Sequence, residues 1–196
     1  MIRTVKIMTI DKEQQLIQTA FKLFYHNGIN ATGINRILAE SGIAKKTLYH
    51  YFSGKEALIL ATIQYRDQIF YTWLKAQMES VPAGIDALYA LFTALDAWFN
   101  NRVEEIADFQ GCYFINVAAE FSDRNDPIHQ KCAEHKQKIQ LLIVHHVGIY
   151  CAGNAKAELI AEAIGLLKEG AIVQASVLGD LSSANKAKRV LSQLLE

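Results

Sequence analysis

Proline is nearly missing from this chain: 196 residues contain two. With so little loop punctuation and 51% hydrophobic residues, the chain is suited to long uninterrupted helices around an ample core. Cysteine is scarce as well. Cys112, Cys132 and Cys151 are odd in number, widely spaced and without a C-x-x-C pair. That pattern excludes a disulfide framework and points to a reduced, cytoplasmic protein. Charge of one sign is lacking too, since the formal net charge is zero. The most apolar run, LLIVHHVGIYCAG from Leu141, is shorter than a membrane span and carries two histidines, so it predicts a buried helix and no membrane partner. The opening MIRTVKIMTI has no apolar signal-peptide core. Nucleophile elbow, phosphate-cradling glycine loop and metal triad are all missing, which leaves an enzyme little to stand on. No cofactor is expected.

What is present is helix signal almost throughout, with no convincing strand. A first helix is predicted from Thr9 or Asp11 to His26, with Leu16, Ala20, Leu23 and Phe24 in its apolar stripe and Asn27-Gly28 ending it. Thr32 is placed to cap a second helix, Gly42 to end it with positive φ, and a short third helix follows. Ser53-Gly54-Lys55-Glu56 has the form of a capping box. It opens a helix predicted to reach Glu79, roughly 37 Å long at 1.5 Å per residue. Val81-Pro82-Ala83-Gly84 breaks the chain before a helix to about Phe99, and a helical turn is expected around Val103–Asp108. Helices over Cys112–Phe121, from Asp126-Pro127 to about Cys151, over Ala155–Leu178 after Gly153-Asn154, and over Ser183–Leu195 complete an all-α chain of nine or ten helices.

Charge is unevenly placed. Residues 1–60 hold eight Lys/Arg against four Asp/Glu, a net +4 that leaves −4 for the remainder. A basic head on an acidic body fits a nucleic-acid-binding module, residues 1–54, joined to a second domain, residues 55–196. Within the head, two short helices separated by Gly42 form a helix-turn-helix pattern. At about 100° per residue, Leu48 and Phe52 define the buried side of the second. Lys46 and His50 then point away from it, Thr47 and Tyr49 flank them, and Lys45 lies in the first turn. Such a face suits the major groove of double-stranded DNA, where cations meet guanine edges or phosphates. Lys55 and the free N–H groups after Ser53 suggest a second anion contact. A merely solvated basic face is the alternative, and with it a helical adaptor or small helical enzyme whose head meets protein or membrane.

The run Gly28 … Thr32 … Ile37 … Ala39 … Gly42-Ile43 … Lys45 … Thr47-Leu48-Tyr49-His50-Tyr51-Phe52 … Lys55-Glu56 … Leu58 resembles the TetR-type family of transcriptional regulators. The resemblance covers about residues 11–60. It implies an all-helical homodimer that binds a palindromic operator, most often as a repressor released by a small molecule in the C-terminal domain. By matched position it implies DNA contacts from Thr32, Lys45, Thr47, Tyr49, His50 and Lys55. Two positions depart from the pattern. Ala44 stands where the family often has a capping Ser, at a cost of roughly 1 kcal/mol of local helix stability. Lys46 stands where Gly is common and adds an outward cation, so it is the candidate for sequence preference.

The body is rich in aromatic residues, among them Phe70, Trp73, Trp98 and Tyr113. In GCYFINVAAEFSD, Cys112, Asn116 and Glu120 recur every four residues beside an apolar face. A polar stripe of that kind either lines an effector pocket or ties Glu120 to a cation in a packed interior. Phe70, Trp73, Trp98, Tyr113, Asn116 and Glu120 are the candidate pocket for an unknown small-molecule effector. His129, Cys132 and His135 spread over about 120° of a helix, too wide for one ion, so no metal is expected. Ile160, Ala163, Ile164, Leu167, Ala171 and Val177 form a stripe with small residues nearby, read as a dimer face or as core within one subunit.

Overall fold

The computed structural model describes residues 11–151 and 156–195. Among them are nine α-helices and no strand: α1 Lys12–Asn27, α2 Ile34–Ser41, α3 Lys45–Tyr51, α4 Lys55–Glu79, α5 Ile85–Phe99, α6 Tyr113–Glu120, α7 Pro127–Tyr150, α8 Ala157–Leu178 and α9 Ser183–Leu195. The alternative first-helix start at Thr9 and the Gly153-Asn154 break lie outside the described residues. The chain divides into two compact units between Tyr65 and Arg66, inside α4.

The boundaries follow local chemistry. The Asp11 carboxylate accepts from Glu13 N–H and the Asp126 carboxylate from Ile128 N–H, each meeting an orphan donor at a helix start. Pro127 follows in the first turn, where its missing N–H costs nothing. Gly42 and Gly179 end α2 and α8 in left-handed backbone, at φ 66° and 69°.

Three local expectations need correction. Thr32 does not cap α2; Gly33 holds that position, and the fully buried Thr32 hydroxyl donates to Gly28 O at 2.8 Å. Ser53 does not cap α4 either. The carbonyl of Gly54 accepts the first helical bond, from Leu58 N–H at 3.3 Å, one residue later than the capping box requires. The segment Val103–Asp108 is not helical. Asn101 takes a left-handed φ of 53°, and its side-chain oxygen accepts from Phe109 N–H at 2.7 Å. This clasp closes an irregular loop in place of a turn of helix, and Ile106 buries beneath it.

In the first unit, α1 packs on α2 and α3. Leu16, Ala20, Phe24, Ile37, Leu48 and Leu58 form its core. The Phe21 and Tyr65 rings meet edge to face at 5.7 Å, so the first turns of α4 pack with this unit. In the second unit, α5, α7, α8 and α9 pack on one another and α6 lies along α7. Gln140 on α7 donates to Ala161 O at 2.9 Å, its side-chain amide filling the space beside Gly165 that a Cβ would occupy.

Candidate nucleic-acid interface and the body cavity

The short helix α3 is seven residues long and has no side-chain cap, because Ala44 occupies the cap position. Seven residues do not hold a helix in water. What holds this one is its seat: Leu48 is fully buried, and Phe52 follows it into the core. The turn before it is braced as well. Ser41 Oγ accepts from Ile43 N–H at 3.3 Å, and Gln15 on α1 donates to Ser41 O at 2.9 Å. Neither Gln15 nor Ser41 stands out in the sequence, since a polar side chain reaching a backbone carbonyl leaves no periodic trace.

With Leu48 inward, Lys45, Lys46 and His50 are exposed, Tyr49 is 49% exposed and Thr47 is half-buried. Lys45 Nζ lies 6.0 Å from the Tyr49 ring centre and His50 packs edge to face on Tyr51 at 5.0 Å. These contacts orient the side chains without burying their polar ends. The result is one outward, cationic, hydrogen-bonding face about two turns long, the size that enters a major groove. Thr32 is not part of it, being buried as a brace of the α1–α2 turn. Lys55 is half-buried. Its ammonium donates to Ile29 O at 2.6 Å and lies 5.9 Å from the Phe24 ring centre, so its first role is to tie the start of α4 to the head.

The second unit encloses a small cavity of about 10 Å³, room for a single water. Of the six candidate pocket residues, Phe70, Trp98 and Tyr113 line it. The other three candidates do not. Trp73 lies on a separate open groove. Asn116 is exposed and donates to Gln110 O at 3.3 Å, and Glu120 is half-buried away from the cavity. The physical reason is the side α6 buries: Tyr113, Phe114 and Val117 turn inward and leave Asn116 on the outer side.

The polar groups that do line the cavity come from other helices. Arg66, Lys168 and His135 are buried, and Lys136 and Cys112 complete the rim. Arg66 spreads over the Phe70 and Trp98 rings at 5.2 and 5.6 Å. Glu169 takes Lys136 on one oxygen at 2.7 Å and Lys168 on the other at 2.5 Å. Burial opposes ionisation of Glu169, but the two ammonium groups outweigh it and hold its carboxyl below the usual range. For Lys168 burial wins over that partner and holds the ammonium below its ordinary value. Lys136 also donates to Cys112 Sγ at 3.3 Å. Burial pushes the neighbouring Cys132 thiol up to about 12, which leaves it unreactive. A readable signal for this cluster existed: Arg66, His135 and Lys168 each interrupt an apolar stripe, as Lys168 does between Ile164 and Ile172.

His135 stacks on Phe114 at 3.5 Å and its Nδ1 lies 2.7 Å from Asp67 Oδ1, while Lys138 holds the other oxygen at 2.8 Å. Burial, outweighing Asp67, lowers the imidazole to about 4, with Lys136 and Lys168 pushing the same way. At neutral pH the ring is therefore uncharged and donates Nδ1–H to the Asp67 carboxylate. The unfolded chain takes up its proton near 6.5, before the folded one does, so stability falls as pH drops from about 6.5 toward 4. At about 1.4 kcal/mol per unit, roughly 2.5 kcal/mol is lost by pH 4.5. Asp67, held below its usual value by His135 and Lys138 against the opposing effect of burial, adds a loss in the same direction lower still. Urea unfolding of His135→Gln should show a flatter profile between pH 6.5 and 4.5. An unchanged slope would refute the assignment.

His129 turns to Phe121 O at 2.7 Å and Cys132 is buried, so these do not converge with His135. Among the described residues no group of three His, Cys, Asp or Glu is placed to hold a metal ion. Among them, too, no helix is long and apolar enough to cross a membrane.

Comparison with known proteins agrees with this geometry. Residues 16–62 match a family model described as bacterial regulatory proteins, tetR family, and residues 84–191 match one described as tetracyclin repressor-like, C-terminal domain. The uncharacterized HTH-type transcriptional regulator YxaF of Bacillus subtilis is 26% identical over 187 residues, 95% of this chain and 92% of that protein. The HTH-type transcriptional regulator LmrA of the same organism is 27% identical over 125 residues, 63% of this chain and 64% of that one. The crystal structure of SCO4454, a TetR-family transcriptional regulator from Streptomyces coelicolor, superposes with a TM-score of 0.81 at 27% identity, covering 94% of this chain and 89% of that one.

Proposed function

The chain belongs to the TetR family of bacterial transcriptional regulators, and on that footing we propose that it is a homodimeric repressor released from a palindromic operator by a small molecule bound in the body. It is a DNA-binding helix-turn-helix regulator and not an enzyme. The observation that carries the finer reading is the outward face of α3, with Lys45, Lys46, Thr47, Tyr49 and His50 presented around a buried Leu48. A second copy is supported by apolar side chains left exposed on α7 and α8, including Leu141, Val144, Leu166 and Val173. Pairing through these helices would set two copies of α3 one DNA turn, about 34–36 Å, apart. Of the α8 stripe read from sequence, Ile164 and Ala171 are buried, Ile160, Ala163 and Leu167 are half-buried and Val177 is exposed, and Leu159, Leu166 and Val173 add to the outer face. The cytoplasm, where such a regulator meets DNA, is the compartment proposed.

Fluorescence anisotropy with a duplex selected by the protein from a random pool tests the reading. Lys45 and Lys46 from two subunits make about four phosphate-range cations, so affinity should fall roughly 100-fold between 50 and 200 mM salt. Failure to select any duplex at low salt would remove the proposal. Lys46→Ala separates its two possible roles. As a base contact it should lose about 1–3 kcal/mol and relax preference at one operator position. A uniform loss across operator variants would make it a phosphate contact instead.

A further inference from the structure

The cavity in the second unit carries more chemistry than packing needs. Among the described residues lining it are three cations, Arg66, Lys136 and Lys168, and no acid. Glu169 behind them offers one negative charge to two ammonium groups, Lys136 at 2.7 Å and Lys168 at 2.5 Å. One positive charge therefore remains unmatched between two lysines, and Lys168 is only 5% exposed. A buried charge without its own partner is costly, and an added anion would offset that cost. The Trp98 indole N–H, buried at the same cavity, has no hydrogen-bond partner. Orphaned buried donors of this kind are rare in native structures. The remaining walls are flat and apolar, with Phe70 against Trp98 at 5.0 Å and Phe114 stacked on His135 at 3.5 Å. Cations, a spare donor and aromatic rings lining one cavity match one kind of ligand.

We propose that the effector of this cavity is a small aromatic carboxylate, its anionic end taken by Lys168, Lys136 and the Trp98 N–H and its ring held among Phe70, Trp98 and Phe114. This deepens, and rests on, the reading of the chain as a ligand-released regulator. The cavity holds about 10 Å³ as it stands, so the ligand enters only by separating its walls. A ligand that fits an opened body and not the closed one has the differential affinity that switching requires.

Isothermal titration calorimetry of the full chain with benzoate, salicylate, cinnamate and 2-naphthoate, each against its neutral amide, tests the assignment. At least one acid should bind ten-fold or more tightly than its amide, because the amide keeps the ring and loses the charge. Lys168→Gln should weaken that acid at least ten-fold and leave the amide within two-fold. Trp98→Phe, which keeps the ring and deletes the N–H, should weaken the acid several-fold, and it stands in if Lys168→Gln does not fold by circular dichroism. Amides that bind as tightly as their acids, or a panel in which no acid binds below about 1 mM, would overturn the proposal. Anisotropy on the selected duplex separates this from the broader reading. Acids that bind the cavity without releasing DNA keep the ligand class and sink the gating. Amides that alone release DNA keep the gating and sink the ligand class.

Discussion

A chain carrying Leu166→Glu and Val173→Glu together should run as a monomer in size-exclusion chromatography with light scattering and should lose at least about 100-fold in operator affinity. Leu166 is 75% exposed and Val173 46%, and Leu159 is 65%. These residues stand seven apart on α8, a spacing that returns to nearly the same side of a helix every two turns. Leu141 and Val144 on α7 are exposed in the same way. Large apolar side chains left in water along neighbouring helices mark an association surface. In a two-fold interface each substitution appears twice, and four carboxylates would have to be buried without partners, at several kcal/mol each. The subunit itself should stay folded, since side chains this exposed contribute little to its own core. The loss on DNA then comes from geometry, because a monomer engages one half-site and forfeits the second set of contacts. A stable dimer in the double variant would move the interface elsewhere, with the apolar groove between α8 and α9, lined by Leu167, Gly170 and Val190, as the next surface to test.

Leu48→Ala should lower stability by about 3–4 kcal/mol in urea unfolding, within the range for fully buried Leu-to-Ala changes. It should weaken operator binding by more than any single change on the outer face of α3. The helix has seven residues and no side-chain cap. Its order therefore depends on the seat that Leu48 fills, between a first core built on α1 and the turn at Gly42. Removing Cγ and its two methyl groups leaves a void that so short a helix cannot close without shifting, and a shift carries Lys46 and His50 off register with the groove. Restoring a cap through Ala44→Ser should recover about 1 kcal/mol in the same background. Unaltered operator affinity in Leu48→Ala would show that the outer face is positioned by something other than its buried side.

Much of the head is legible along the chain because it obeys short-range rules. Gly42 ends α2, Asp126-Pro127 starts α7 and Gly179 ends α8 for reasons contained within a few residues. The buried side of α3 follows from Leu48 and Phe52, and with it the exposure of Lys45, Lys46 and His50. Membership in the TetR family was legible for the same reason, since the motif lies within one continuous stretch. Where a rule needed one residue's precision it slipped: Thr32 and Ser53 have the right chemistry for caps but sit one position too early, and Gly33 and Gly54 take the role.

The amino-acid order by itself determined an all-helical chain, a basic head with one outward cationic face, and the two unusual positions Ala44 and Lys46. Periodicity and capping act over a turn or two of backbone, and these conclusions need nothing longer. The tertiary structure alone decided which polar residues meet in the body. Asp67 and His135 are 68 positions apart, and Lys136 and Glu169 are 33 apart. Their pairing depends on how α4, α7 and α8 cross, and the free energy of these buried charges is set by such distant neighbours as well as by adjacent pairs like Lys168 and Glu169.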